Sequence, residues 1–287
     1  MDIPFITHFL NGFLMVAMPT GLAIYLMRRW NLGGRIWWVG AATFILSQVG
    51  HIPFNWAIGK LLNLTGMVAW DPAYQLVFNA IFLGLSAGIF EEITRYLVLH
   101  WWARDARSWR KGVLFGAGHG GMEAIILGGL VLYSFFQLIA LRNTDLAKFF
   151  SASQLELVQR QVAAYWSATW YSSLMGALER FFTIPCQIVM AVMVMQVFTR
   201  KNLKWLFLAI GYHAIVDATA VVSTKYLGPY LTEAVIAGFA ILSVILIFLL
   251  RQPEPPVDVS PSSPVPVFAP MELPEETTEN LDRTRYQ

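Results

Sequence analysis

This sequence predicts an all-α polytopic membrane protein with about seven transmembrane helices, N-terminus outside and C-terminus cytoplasmic. Three observations carry that prediction. Of its 287 residues, 56% are hydrophobic and only 13% are charged, about half the charged share of an ordinary globular domain. The apolar residues run in long uninterrupted stretches rather than at amphipathic spacing, the pattern of segments that face lipid. The basic residues stand in short clusters between those stretches, where they orient a chain in a membrane. A soluble single-domain enzyme is excluded. A net charge of +2 is too small to mark a nucleic-acid surface, so no DNA or RNA partner is expected. The single cysteine, Cys186, permits neither an internal disulfide nor a multi-cysteine metal site.

The first element runs from Ile3 to Met27. It lacks the basic start of a signal peptide, and its first positive charges, Arg28 and Arg29, follow it, so it is expected to stay as a helix. Further spans are expected at Ile36 to about Ile58, Tyr74 to Trp102, Gly112 to Leu141, about Ser172 to Phe198, Leu203 to Ser223 and Thr232 to Leu250. Each is long enough to cross a hydrocarbon core of roughly 30 Å. Eleven loop Lys and Arg residues fall on one side, from Arg28 and Arg29 to Arg251, against five on the other, from Lys60 to Lys225. The positive-inside rule puts the richer side in the cytoplasm. Trp37, Trp38, Trp101, Trp102, Trp166 and Trp170, with Tyr165 and Tyr171, fall near span ends and are expected as interfacial anchors.

Between Arg142 and Tyr165, Leu146, Phe149, Phe150, Leu155, Val158 and Val162 recur at helical intervals among charges, which predicts an amphipathic helix at the outer interface. Eight of the fourteen prolines lie beyond Arg251 among Asp, Glu, Ser and Thr, a composition that cannot build a core. The chain therefore divides into a membrane domain, 1–250, and a disordered cytoplasmic tail, 251–287. No internal repeat is visible.

Ionisable side chains inside a membrane are expensive, so each is a candidate for function. The third span holds Glu91, Glu92 and Arg95, the fourth His119 and Glu123, the fifth Glu179 and Arg180, the sixth His213 and Asp217. Glu91 and Arg95, His119 and Glu123, and His213 and Asp217 are each four residues apart, so each pair shares one helix face. With the third helix running inward and the fourth and sixth outward, the histidines lie roughly 10 to 15 Å deep at helical rise, level with the two glutamates. Gly84, Gly88, Gly116, Gly118, Gly120 and Gly121 leave room for close helix approach or for a substrate backbone. Histidines and carboxylates in a secluded wet cavity are what peptide hydrolysis requires: a base or metal to activate water, and donors for the oxyanion. Glu123 has the position to orient His119 or to bind a metal, and Glu179 beside Arg180 is equally readable as a buried ion pair. His8, His51 and His100 lie near span ends and read as interfacial.

Glu91-Glu92-Ile93-Thr94-Arg95, Phe115-Gly116-Ala117-Gly118-His119 and His213-Ala214-Ile215-Val216-Asp217 resemble the three ordered motifs of the CAAX-protease and bacteriocin-processing (CPBP, PrsW-like) superfamily. The run from Gly116 to Ala124 and the later Glu179-Arg180 are most similar to its YhfC branch of intramembrane metalloproteases. The resemblance covers residues 91 to 217. It implies an intramembrane endopeptidase of a bacterial cell membrane acting on a membrane-associated protein or peptide. It further implies Glu91 as the base that activates water, His119 as its partner, and His213 with Asp217 as oxyanion donors or further ligands. Glu92 would pair with Arg95. The resemblance implies either a zinc-assisted site, the metal held by His119, His213 and Glu91, or a site that uses the glutamate and histidine without metal. One departure is that only two residues separate Glu-Glu from Arg here, against three in the CAAX proteases, so cleavage of prenylated proteins is not implied.

Rival readings have their own signals. Gly84-Leu85-Ser86-Ala87-Gly88 fits Gly-x-Ser-x-Gly, and a rhomboid-like dyad would use Ser86 and His213; it leaves Glu91, Glu92 and His119 without a task. A site-2 protease needs His-Glu-x-x-His and an aspartyl intramembrane protease a second Asp, and the sequence has neither in a span. The non-enzyme alternative is a proton-coupled transporter or channel that uses the buried Glu, His and Asp groups as a relay, although seven unequal helices are awkward for inverted repeats.

Overall fold

The computed structural model describes residues 2–66 and 69–254. The tail expected to be disordered, apart from its first four residues, lies outside the described residues. Eight α-helices follow in order: α1 Ile3–Trp30, α2 Arg35–Leu64, α3 Pro72–Leu97, α4 Trp109–Arg142, α5 Ala152–Trp166, α6 Met175–Thr199, α7 Lys204–Tyr226 and α8 Gly228–Leu249. There is no strand among the described residues. Local chemistry sets several ends. Asp71 caps α3 by accepting a hydrogen bond from Ala73 N at 2.8 Å. Asn31 ends α1 in the left-handed conformation, which asparagine tolerates well. A π-turn, Val98–Trp102, follows α3 and stops where Ala103 N bonds back to Val98 O.

Six of these helices, α1, α3, α4, α6, α7 and α8, are long and apolar enough to cross a membrane. The expected second span, α2, forms as a 30-residue helix but is not among them. Gln48, His51 and Asn55 around and beyond its middle lower its apolarity; they face the cluster described below. The expected amphipathic segment forms α5, a 15-residue helix with no buried residue.

α6 is the axis of the bundle. In its most apolar window 72% of residues are buried, against 17–39% for the other five spans, because α1, α3, α4, α7 and α8 all pack around it. Two close approaches fix the site. A Cβ on Gly84 or Gly88 of α3 would stand 2.6 Å from Ala214 O or 2.8 Å from Ile210 O of α7. Only glycine lets these two backbones approach so closely. Likewise Gly40 of α2 and Gly118 of α4 sit against the backbones of Phe115 and Trp37. That contact buries Trp37, 6% exposed, in the core rather than at the interface where the sequence placed it. Trp38, Trp101, Trp102, Trp170 and Tyr171 are exposed.

Candidate active site

The α3–α7 approach carries Glu92 onto His213, and the α2–α4–α3 packing carries Glu91 onto His119. His213 Nδ1 lies 2.8 Å from Glu92 Oε1 and His119 Nε2 2.9 Å from Glu91 Oε2. In the neutral imidazoles each of these nitrogens is the N–H that donates to its carboxylate. Arg95, fully buried, lies between the two acids. It donates to Glu92 Oε1 and stands 3.4 Å from Glu91 Oε2. Two carboxylate–histidine pairs thus share one guanidinium. Glu92, Arg95 and His119 have no solvent exposure, so each charge depends on its partners rather than on water.

His213 differs from His119 in what lies beyond it. Its Nε2 is 3.6 Å from Asp217 Oδ2, an ion-pair distance too long for a hydrogen bond. Both residues line a cavity of about 310 Å³ between α4, α6, α7 and α8, whose lining continues to Pro229 and Thr232 at the start of α8. The cavity also receives Glu123, Glu179 and Arg180. Glu123 does not reach His119. Its Oε1 accepts from Arg180 at 2.5 Å and its Oε2 from Gln187 at 2.9 Å, while Arg180 also donates to Glu179. All nine residues singled out in the sequence therefore belong to one polar network.

Three further members and one cavity-lining residue escaped sequence reasoning. Gln187 of α6 presents its amide oxygen to Arg95 and its amide N–H to Glu123, so it joins the two guanidinium centres. Gly120 makes room for it, since a Cβ there would lie 2.7 Å from Gln187 Cβ. Gln48 of α2 donates to Glu91 Oε1 at 3.1 Å. Both are uncharged, and a neutral amide in an apolar stretch was their only signal. His51, expected at the interface, is instead half-buried beside Gln48, with Nε2 3.1 Å from Ser86 Oγ and 2.8 Å from Asn55 Nδ2. Ser86 thus meets His51 and not His213, which removes the dyad of the rhomboid-like reading. The fourth is Glu233, second residue of the expected seventh span, which lines the cavity. His8 is also buried, with Nε2 2.8 Å from Tyr165 O, outside this network.

The donor set as placed does not fit zinc. His119 Nε2 and His213 Nδ1 each face a carboxylate at hydrogen-bonding distance, and those carboxylates already share a cation, Arg95. Among the described residues no three His, Cys, Asp or Glu side chains converge closely enough to hold a metal ion, whereas a catalytic zinc needs three such ligands and an open position.

The sequence profile of the family described as YhfC intramembrane metalloprotease matches residues 14–240. The chain is 27% identical over 249 residues, covering 82% of this chain and 92% of the relative, to the uncharacterized membrane protein YhfC of Bacillus subtilis (strain 168). No solved structure matches.

Proposed function

Because the chain belongs to the YhfC intramembrane metalloprotease family, we propose that it is an endopeptidase that hydrolyses a peptide bond within or beside the membrane. The observation that carries this reading is the Glu92–His213–Asp217 line, which starts in the buried core and ends in the cavity. The roles divide differently from those the resemblance implies. Glu92 fixes the His213 tautomer by accepting from Nδ1–H, which leaves the Nε2 lone pair facing the cavity. There Nε2 takes a proton from water, and the resulting hydroxide adds to the scissile carbonyl carbon. The imidazolium is stabilised by Glu92 on one side and Asp217 on the other, then returns the proton to the departing amine as the C–N bond breaks. Glu91, held by His119 and Gln48, gives Arg95 a second carboxylate partner; the excess negative charge this leaves in the cluster is offset when His213 becomes an imidazolium.

The family's name implies a metal. The misfit of the donor set is why no step in this scheme passes through one. Cleavage of a mixture of synthetic single-span peptides by the full chain in nanodiscs, read by mass spectrometry, tests the proposal. We expect new peptide termini with the parent and with Ser86→Ala, and about 10²- to 10⁴-fold slower cleavage with His213→Ala. Parental rates in folded His213→Ala would refute the role of His213. A parent that cleaves nothing but moves protons across vesicles would instead favour the relay reading, for which the line of hydrogen bonds and ion pairs from His119 through Glu91, Arg95, Gln187, Glu123 and Arg180 to Glu179 is the supporting observation.

A further inference from the structure

The cavity beside His213 carries more negative charge than the proposed hydrolysis uses. Four carboxylates line it, Glu123, Glu179, Asp217 and Glu233, against one guanidinium, Arg180. Arg180 is already spent on Glu123 and Glu179, and Glu123 gives its second oxygen to Gln187. Asp217 is taken by His213 in the proposed hydrolysis, which leaves Glu233 over. Asp217 faces His213 at 3.6 Å. Glu233 is 9% exposed, and its Oε2 is buried with no hydrogen-bond partner among the described residues. A buried carboxylate oxygen without a donor is costly and is kept only where something else satisfies it.

We propose that this cavity is a specificity pocket for a basic side chain, the ammonium of lysine or the guanidinium of arginine, held by Glu233 while the neighbouring peptide bond lies at His213. The inference rests on the protease reading above for calling the occupant a substrate. Three features select this chemistry. The excess of carboxylates calls for a cation. A bare metal ion is a poor match, because no three ligands converge among the described residues and about 310 Å³ is instead the lower end of the size range for organic ligands. Finally, Val216, Ala220 and Ile236 between the charged groups give an apolar wall, which suits the methylene stem of a long basic side chain.

The test reads binding, not turnover, and uses the full chain carrying Glu92→Gln in nanodiscs. The probes are a fluorescent Ala/Leu decapeptide, acetylated and amidated, containing one lysine, and twins with norleucine or Nε-acetyl-lysine in its place. By fluorescence anisotropy the lysine peptide should bind about 10-fold more tightly than either neutral twin, the scale of one charged hydrogen bond. Adding Glu233→Gln should cut that preference to about 3-fold or less. Equal affinity for the three peptides, or a preference that survives Glu233→Gln in folded protein, would overturn the proposal. The peptide series decides the matter even where Glu233→Gln fails to fold. Failure of the protease reading is separate: it would be seen as a parent that cleaves no peptide, whatever the anisotropy shows.

Discussion

Replacing Glu92 with glutamine separates a catalytic network from a merely structural one. Glu92 is fully buried, and its Oε1 accepts from both Arg95 and His213 Nδ1. Glutamine keeps the shape but removes the anion that fixes the tautomer and stabilises the imidazolium. In a serine protease, changing the carboxylate behind a catalytic imidazole to its amide costs about 10⁴ in kcat, and acid–base catalysis as a whole contributes about 10²- to 10⁴-fold. The expected loss of turnover is therefore about 10²- to 10⁴-fold, or about 3 to 5.5 kcal/mol of barrier. The stability cost should be smaller. Arg95 retains Glu91 and the Gln187 carbonyl, so no charge is orphaned, and the loss is that of one charged hydrogen bond, about 1–3 kcal/mol. An orphaned buried charge would cost about 3–5 kcal/mol. Initial rates on a peptide that the parent cleaves, paired with thermal melts of the same nanodisc samples, measure both quantities. Folded Glu92→Gln turning over within about threefold of the parent would refute the reasoning, because Glu92 would then serve only the fold.

Three other outcomes are expected. Gly88→Leu should lower the melting temperature and abolish activity, since its side chain would have to displace the Ile210 carbonyl of α7 at a cost of about 1–3 kcal/mol; Gly129→Ala, with open space around it, should be neutral or stabilising in the same melts. Exhaustive chelation should leave both melting temperature and cleavage unchanged, and loss of activity restored by zinc alone would show that the site rearranges to bind metal. With α2 crossing alongside the six apolar helices, a reporter fused after Leu250 should be cytoplasmic and one inserted near Asn143 external, as the loop charges require; the reverse labelling would overturn the topology.

The helices and most of the buried charged groups can be read from the order of residues alone. Long apolar runs leave the backbone no choice but to satisfy its own hydrogen bonds in a membrane, and spacings of four residues put Glu91 with Arg95 and His213 with Asp217 on shared faces whatever surrounds them. Both are local facts. The pairing of those groups depends on which helices touch. His119 and His213 look equivalent in sequence, yet α3, α4 and α7 pack so that only His213 meets the cavity. Glu123 is one turn from His119, but α6 offers it Arg180 and Gln187 instead. The half-apolar α2 turns Gln48 and His51 inward toward Glu91 and Ser86. Whether His119, His213 and Glu91 could share a metal was likewise not a matter of residue type. Coordination requires three donors to converge on one point, and in this fold each imidazole is turned to its own carboxylate. That outcome is set by the glycine contacts between helices far apart in the chain.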